Sequence, residues 1–397
     1  MIDLTRLYCG EKTAGESIRY GWRHRDKGTV ASAMERRPVV VWNLTRTCNL
    51  KCLHCYSDSH AQIYPGELTT DEALQVIEDL AQFKIPALLL SGGEPLLRKD
   101  LFILADEAKR QGLRVTLSTN GTLITRSIAE KIKETGFTYV GVSLDGVEET
   151  HDQFRGVKGA FEKTLQAIRY CKEVGQKVGL RLTMTRHTIQ SLPQIFDLMV
   201  KEKIDRACFY HLVFTGRGRF ISKEALSHEE MRMALDIILK WTRSLKESGF
   251  EKEILTVGNP VDGVYLYLKL KEEKEGVQAQ EVLDLISLNG GGQFGSGVGL
   301  GCIDFYGNVH PDQFSMGVTL GNVKERPFSQ IWMDLNNELL RGLKNRLPLL
   351  KGKCKSCDWK NQCGGGLRTR AHLAFGDPWA EDPGCYLTLK EIGARNK

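Results

Sequence analysis

This chain of 397 residues has no long apolar run. Its longest candidates, 39–41 and 87–90, are strand-sized and far short of the roughly 18 residues that a membrane helix needs. No spanning segment and no membrane partner are therefore expected. The opening Met1-Ile2-Asp3-Leu4-Thr5-Arg6 carries an acid and a base and no apolar core, which argues against a secretory signal. A cytoplasmic location is the expectation. There is no internal repeat and no low-complexity tract. Strong charge of one sign is also missing: 55 Lys and Arg stand against 49 Asp and Glu, for a net charge of +6. That excess suits an anionic small molecule and does not point to nucleic acid. With 41% hydrophobic and 26% charged residues, disorder as the main state is excluded.

What the chain does have is cysteine and glycine, 11 and 40 residues respectively. Without a secretory signal, this many cysteines argues for metal or redox chemistry rather than a disulfide framework. Seven of them fall into two spaced groups. Cys9, Cys171 and Cys208 lie outside these and read as buried small apolar residues.

Residues 1–37 read as a polar leader with weak periodicity, including the basic and aromatic run Arg19-Tyr20-Gly21-Trp22-Arg23-His24-Arg25. From 38 the chain alternates. Strands are expected at 39–44, 87–91, 113–118, 138–144, 177–185 and 206–214. Helices are expected at 70–83, 100–111, 127–135, 160–174 and 192–202, the first opened by Thr69 and Glu72 at capping-box spacing. Alternating strands and helices imply right-handed βαβ units and a parallel sheet, with ligands at the C-terminal strand ends. Residues 226–290 read as a helical linker region, with helices at 230–248 and 269–288. Gly290-Gly291-Gly292 marks a boundary. Short strand-like runs at 299–305 and 308–311 follow, and the stretch from 349 is rich in Cys and Gly.

The first cysteine group is Cys48-x3-Cys52-x2-Cys55, directly after the first strand of the alternating region. Three thiolates cannot close a tetrahedral zinc site alone. They can hold three irons of a [4Fe–4S] cluster and leave the fourth open. Structural zinc with a distant fourth ligand is the alternative.

In this order, the motifs resemble the radical S-adenosylmethionine (radical SAM) superfamily. Cys48, Cys52 and Cys55 match its cluster motif. Ser91-Gly92-Gly93-Glu94-Pro95 looks like its GGEP motif, in which Glu94 suits the SAM ammonium. The resemblance implies further SAM contacts from Ser118 and Asn120 at the third strand end, and from Ser143 and Asp145 at the fourth. It also implies Arg181 at the SAM carboxylate and His54 near the adenine. It covers about residues 38–220 and implies an α/β fold, a partial (β/α)6 radical SAM barrel, with the core domain expected at 38–225. The implied chemistry is reductive cleavage of SAM to methionine and a 5′-deoxyadenosyl radical that abstracts hydrogen from carbon. An external electron donor of the flavodoxin or ferredoxin type is needed.

The second group is Cys354-x2-Cys357-x5-Cys363, followed by Cys385. Four thiolates fit zinc or a [4Fe–4S] cluster, and spacing barely separates the two. The pattern is similar to the SPASM/twitch extension of radical SAM enzymes. Residues 291–397 are accordingly expected as a small C-terminal iron–sulfur domain, bringing the total to two [4Fe–4S] clusters. The sequence departs from the full SPASM pattern at Leu367 and Asp312, where cysteines are common, and Cys302 is an alternative ligand.

A basic constellation of Arg217, Arg219, Arg368, Arg370 and His372 suits carboxylates. His211 and His310 are further candidates for an iron or carboxylate contact. The runs 38–43, 64–68, 210–213, 262–266, 310–314 and 376–380 are similar to the tetrapyrrole-modifying AhbC/NirJ group. That resemblance implies an iron tetrapyrrole substrate. The starts Leu7-Tyr8-Cys9-Gly10 and Ile18-Arg19-Tyr20-Gly21 tilt toward the enzymes that remove two acetate side chains from 12,18-didecarboxysiroheme. The rival readings are propionate removal in haem d1 synthesis, a SPASM peptide maturase, and a non-catalytic iron–sulfur or zinc protein.

Overall fold

A computed structural model describes residues 1–13 and 33–393. The basic and aromatic run at 19–25, and the 18–21 motif, lie outside the described residues.

Eleven strands form one sheet: β1 (Ile2–Asp3), β2 (Val39–Asn43), β3 (Leu88–Ser91), β4 (Val115–Thr119), β5 (Val140–Ser143), β6 (Val178–Met184), β7 (Arg206–His211), β8 (Glu253–Val257), β9 (Leu300–Ile303), β10 (Asn308–His310) and β11 (Gly321–Asn322). Their order is β1-β8-β7-β6-β5-β4-β3-β2-β9-β10-β11. Neighbours from β9 through β2 to β8 run parallel, as crossover helices require. The strands are short and apolar because helices cover the sheet. In β2, for example, Val40, Val41, Trp42 and Asn43 are all buried. The expected capping box forms at Thr70–Gln82: Thr69 Oγ1 accepts from Glu72 N at 3.2 Å, and Glu72 Oε2 accepts from Thr69 N at 2.8 Å.

The six expected strands are all present as β2–β7. The sheet is wider than the reading, however. The stretch 226–290 is not wholly helical, because Glu253–Val257 pairs in parallel with β7 and is buried along most of its length. Four apolar and β-branched residues between Glu253 and Gly258 are too few to separate a strand from a helix by pattern. The single helix expected at 269–288 is instead two, Val261–Glu272 and Gly276–Ser287, with Lys274 at positive φ between them. Glu148–Arg155 is a helix that the pattern did not suggest, because most of its residues are polar.

The first residues of the polar leader join the core. Ile2–Asp3 pairs antiparallel with β8, and the helix Leu4–Cys9 buries Leu4 and Leu7. Thr5 Oγ1 donates to Lys252 O and accepts from Ile254 N, each at 2.9 Å, stitching this helix to β8. Six residues with two core leucines are too short for a helical period to stand out. Among the described residues, no helix is long and apolar enough to cross a membrane.

Leu4 is fully buried. Replacing it with Ala should cost about 2–5 kcal/mol of stability through lost packing and a residual cavity. Denaturant unfolding would measure this, and a loss under 1 kcal/mol would mean that the N-terminal helix is not part of the core.

Candidate active site

Cys48, Cys52 and Cys55 lie in the loop leaving β2, at the C-terminal end of the parallel strands. This loop is held largely by bonds borrowed from other segments. Lys51 N and Leu53 N donate to Arg155 O at 3.1 Å and Phe154 O at 3.0 Å, and Cys48 N donates to His60 O at 3.0 Å. From the other side, Arg217 Nε donates to Cys52 O at 2.9 Å and Nη1 to Ser59 O at 2.7 Å. Its own N–H reaches Cys55 O at 2.9 Å. Two positive-φ glycines permit the approach: a Cβ on Gly156 would stand 2.7 Å from Lys51 O, and one on Gly216 would stand 2.3 Å from Cys55 O. Arg217, an expected substrate residue, is here a strap across the cysteine loop.

Gly92 and Gly93 serve the same loop. A Cβ on Gly93 would lie 2.4 Å from Thr47 O, and one on Gly92 would lie 2.5 Å from Thr45 O. Their missing side chains admit protein backbone. Glu94 is fully buried and ties β3 to β4: it accepts from Thr119 Oγ1 and Asn120 N at 2.8 Å each, and from Leu96 N at 3.1 Å. Burial pushes its carboxyl up to about 7, against the pull of those bonds. Asn120 Nδ2 donates to Asn49 Oδ1 at 2.9 Å and lies 3.9 Å from Cys48 Sγ.

The helix Glu148–Arg155 brings in Arg155, which the sequence reading missed. It forms a buried ion pair with Asp145, and its Nη1 lies 3.5 Å from Cys52 Sγ. Burial opposes the Asp145 charge, yet Arg155 holds that carboxyl below the usual range. Asp145 Oδ1 also accepts from Thr183 N at 2.7 Å, and Asp145 N donates to His151 Nδ1 at 3.2 Å. His54 stacks on Phe154 at 4.5 Å and sits 4.0 Å from Asp145 Oδ2. Burial lowers its imidazole to about 4 and keeps it neutral. A signal for Arg155 existed: His151, Phe154 and Arg155 fall at i, i+3 and i+4, on one helix face after the Asp145-Gly146 turn.

Arg181 crosses from β6 over Gly141 to bond Ser118 Oγ on β4. Its Nε is buried with no protein acceptor. Ser143 is half-buried at the end of β5, paired in register with Arg181. A cationic side chain with an unmet N–H, among strand ends that also hold three thiols, fits a carboxylate-bearing ligand beside a cluster. Burial pushes the Cys48 thiol up to about 12 and raises Cys52, so both need positive charge nearby to ionise.

The second cysteine group also comes together. Cys354, Cys357, Cys363 and Cys385 all line one cavity, with Gly365, Gly366 and Asp382. Cys302 is elsewhere, on β9, with its Sγ 3.7 Å from Asn43 Nδ2. Asp312 is buried and accepts from Phe314 N at 2.8 Å, Ser315 Oγ at 3.1 Å and Thr369 Oγ1 at 2.8 Å. Cys171 and Cys208 are buried as expected; Cys9 is only half-buried.

The remaining substrate candidates already have protein partners. His211 Nε2 lies 2.8 Å from buried Asp262 Oδ2, and His310 Nδ1 lies 2.6 Å from Val318 O. Arg370 forms a two-pronged pair with Asp382 at 2.6 and 2.8 Å. Arg368 donates to Pro378 O and Ala380 O at 3.0 and 2.7 Å. Arg219 is exposed on the loop after β7, over the Phe220 ring.

A parallel sheet with three thiols at the end of its first crossover strand defines a radical SAM enzyme. Residues 42–199 match the Radical SAM superfamily, and the chain belongs to it. Over 99% of both chains it is 50% identical to the Fe-coproporphyrin III synthase of Methanosarcina barkeri (strain Fusaro / DSM 804). It is 44% identical to the pre-heme d1 synthase of Dinoroseobacter shibae (strain DSM 16493 / NCIMB 14021 / DFL 12), over 90% of this chain and 88% of that one. The fold is also that of Streptococcus suis SuiB bound to precursor peptide SuiA. There the TM-score is 0.70 at 18% identity, covering 89% of this chain and 76% of that one. Family membership implies SAM and one [4Fe–4S] cluster.

Glu94 generates a pH prediction for SAM-free protein. Its folded pKa of about 7 stands above the unfolded value, so its contribution to stability declines as pH rises from about 4.3 to 7. The decline is on the order of 3 kcal/mol. Glu94→Gln should flatten that slope in urea midpoints measured across the range, whatever its absolute stability. An unchanged slope would place the titration elsewhere.

Proposed function

We propose that this enzyme acts in haem biosynthesis, removing two acetate side chains from 12,18-didecarboxysiroheme to leave methyl groups and give Fe-coproporphyrin III. The observation that carries this reading is the 50% identity with the Methanosarcina protein over 99% of both chains. The 44% relative supports a second reading on the same scaffold, attack on propionate side chains toward haem d1.

Cys48, Cys52 and Cys55 would hold a [4Fe–4S] cluster, which would supply the electron for reductive cleavage of SAM. Arg155 places a fixed positive charge beside Cys52, and Asp145 holds Arg155 there. Arg181 offers its unmet N–H to the SAM carboxylate, with Ser118 and Ser143 beside it. Glu94 and Asn120 orient the β3 and β4 ends around the amino group, and His54 shields the adenine side from water. Of the candidate arginines, Arg219 is the exposed one and is available to a tetrapyrrole carboxylate. Cys354, Cys357, Cys363 and Cys385 would hold a second [4Fe–4S] cluster. Tetrahedral zinc at 2.3 Å needs thiolates about 3.8 Å apart. Among the described residues, no three His, Cys, Asp or Glu side chains converge as a single ion requires. Four thiols lining one cavity would serve as the ligands of a cubane. A flavodoxin- or ferredoxin-type donor would deliver the electron, in the cytoplasm. We divide the chain into a leader (1–37), the radical SAM core (38–225), a linker region that also lends β8 to the sheet (226–290), and the auxiliary cluster domain (291–397).

Replacing any of Cys48, Cys52 or Cys55 with Ala should abolish 5′-deoxyadenosine formation. Continued formation in all three variants would overturn the mechanism. Mass spectrometry of an anaerobic reaction with SAM, reductant and 12,18-didecarboxysiroheme should show loss of two acetates. Loss of propionates would move the enzyme to the haem d1 branch. An untouched tetrapyrrole, with 5′-deoxyadenosine still formed, would refute the substrate.

A further inference from the structure

Two arginines behind the second cysteine group are buried with no carboxylate of their own. Arg346 follows the helix Glu338–Lys344 and is 1% exposed. Its Nε donates to Leu343 O at 3.0 Å and its Nη2 to Ser296 O at 2.6 Å. Arg368 opens the helix Arg368–Phe375 and is also 1% exposed. Its Nη1 takes the carbonyls of Pro378 and Ala380, while its Nε and Nη2 are buried without any protein acceptor. Carbonyls satisfy geometry but bring no net charge. Taking a guanidinium out of water costs several kcal/mol, and an unpaired one keeps that cost.

The nearby carboxylates are already spent. Asp382, closest in influence to Arg368, accepts both prongs of Arg370 and the backbone N–H groups of Leu367 and Gly384. Asp312, the carboxylate whose charge acts on Arg346, is taken up by Phe314, Ser315 and Thr369. The other acidic neighbours of the two arginines are thiols: Cys354 and Cys363 for Arg368, and Cys363 for Arg346. The approach is built into the backbone. Gly364, Gly365 and Gly366 follow Cys363, all at positive φ. Gly365 lines the four-cysteine cavity, and a Cβ there would stand 3.2 Å from Arg368 Nη2. A side chain at 365 would wedge between the guanidinium and the cavity.

A four-thiolate [4Fe–4S] centre carries a net charge of about −2 when oxidised and about −3 when reduced. Lys353 and Lys360 already line this cavity, and two guanidinium groups lacking anions behind it are complementary to the remaining negative charge of the reduced centre. We propose that Arg346 and Arg368 supply the counter-charge of the auxiliary centre, the free Nε–H and Nη2–H of Arg368 facing its sulfur atoms, and that they raise its reduction potential. This rests on the reading of Cys354, Cys357, Cys363 and Cys385 as cluster ligands. The arginines are positioning residues, because they act on the centre and not on substrate. Fixed positive charge favours the more negative, reduced state. In this assignment Arg368 is turned inward and does not meet a tetrapyrrole carboxylate.

The test uses the full-length, anaerobically reconstituted protein. Iron analysis comes first. The wild type should hold about eight irons per chain and Cys357→Ala about four. If the wild type holds only about four and Cys357→Ala loses none, the auxiliary cluster itself fails, independently of the arginines. The potential is then read by EPR-monitored titration, with SAM added to mark the signal of the cluster that has an open iron. Arg368→Met and Arg346→Met should each move the SAM-insensitive signal to lower potential and leave the other in place. Arg368→Lys, which keeps the charge, should shift it less. Failure of Arg368→Met to load auxiliary iron while Arg368→Lys loads it would also support the assignment. Unshifted potentials in both methionine variants with iron retained would overturn it. So would loss of loading in both Arg368 variants beside an unshifted, loaded Arg346→Met.

Discussion

The constraint on which this active site depends is that three thiols must be held together on a loop with little regular structure of its own. The loop after β2 is instead clamped from two sides by backbone it could not reach in sequence. The end of the helix Glu148–Arg155 accepts two of its N–H groups, and the segment after β7 straps it through Arg217. Each clamp includes a glycine whose side chain would collide with the loop. The buried Asp145–Arg155 pair then sets Arg155 beside Cys52. Breaking such a pair leaves an uncompensated buried charge, so the geometry and the electrostatics of the loop are one feature.

This arrangement gives familiar residues roles that their motifs do not announce. Gly92 and Gly93 admit the cysteine loop's backbone, and Glu94 joins β3 to β4. Strand ends that must receive a cofactor have first to be fixed relative to each other, and a buried carboxylate accepting three N–H or O–H bonds does that well. The unmet valences are then informative. Arg181 at the strand ends and Arg368 near the second cysteine group both keep buried N–H groups without a protein acceptor, which would suit a carboxylate and an anionic centre respectively.

The sheet continues past the strand that carries the first cysteine group. β9 pairs in parallel with β2, the strand that leads into the cluster loop, and β10 and β11 extend the sheet toward the C-terminal region. Cys302 on β9 faces Asn43 on β2, and Asn43 in turn accepts from Tyr56 OH of the cysteine loop at 2.8 Å.

Much of this was legible in the sequence, because the features concerned are local. Period and punctuation located β2–β7 and their helices. The spacings of Cys48, Cys52 and Cys55, and of Cys354, Cys357 and Cys363, identified two thiol groups without any fold. What escaped depends on partners distant along the chain. Glu253–Val257 is a strand because β7 and β1 flank it, and Leu4–Cys9 is a helix because β8 receives it. Arg217, Arg368, Arg370, His211 and His310 carry the chemistry of a carboxylate or iron contact. Whether a side chain offers that chemistry to a ligand or spends it inside the protein depends on which carbonyl or carboxylate the folded chain sets beside it. The sequence alone determined the chemistry available here, thiolates, glycine turns and strand order. Tertiary structure alone decided where each charge is neutralised, because burial makes an unpaired charge costly and only folding brings its partner within reach.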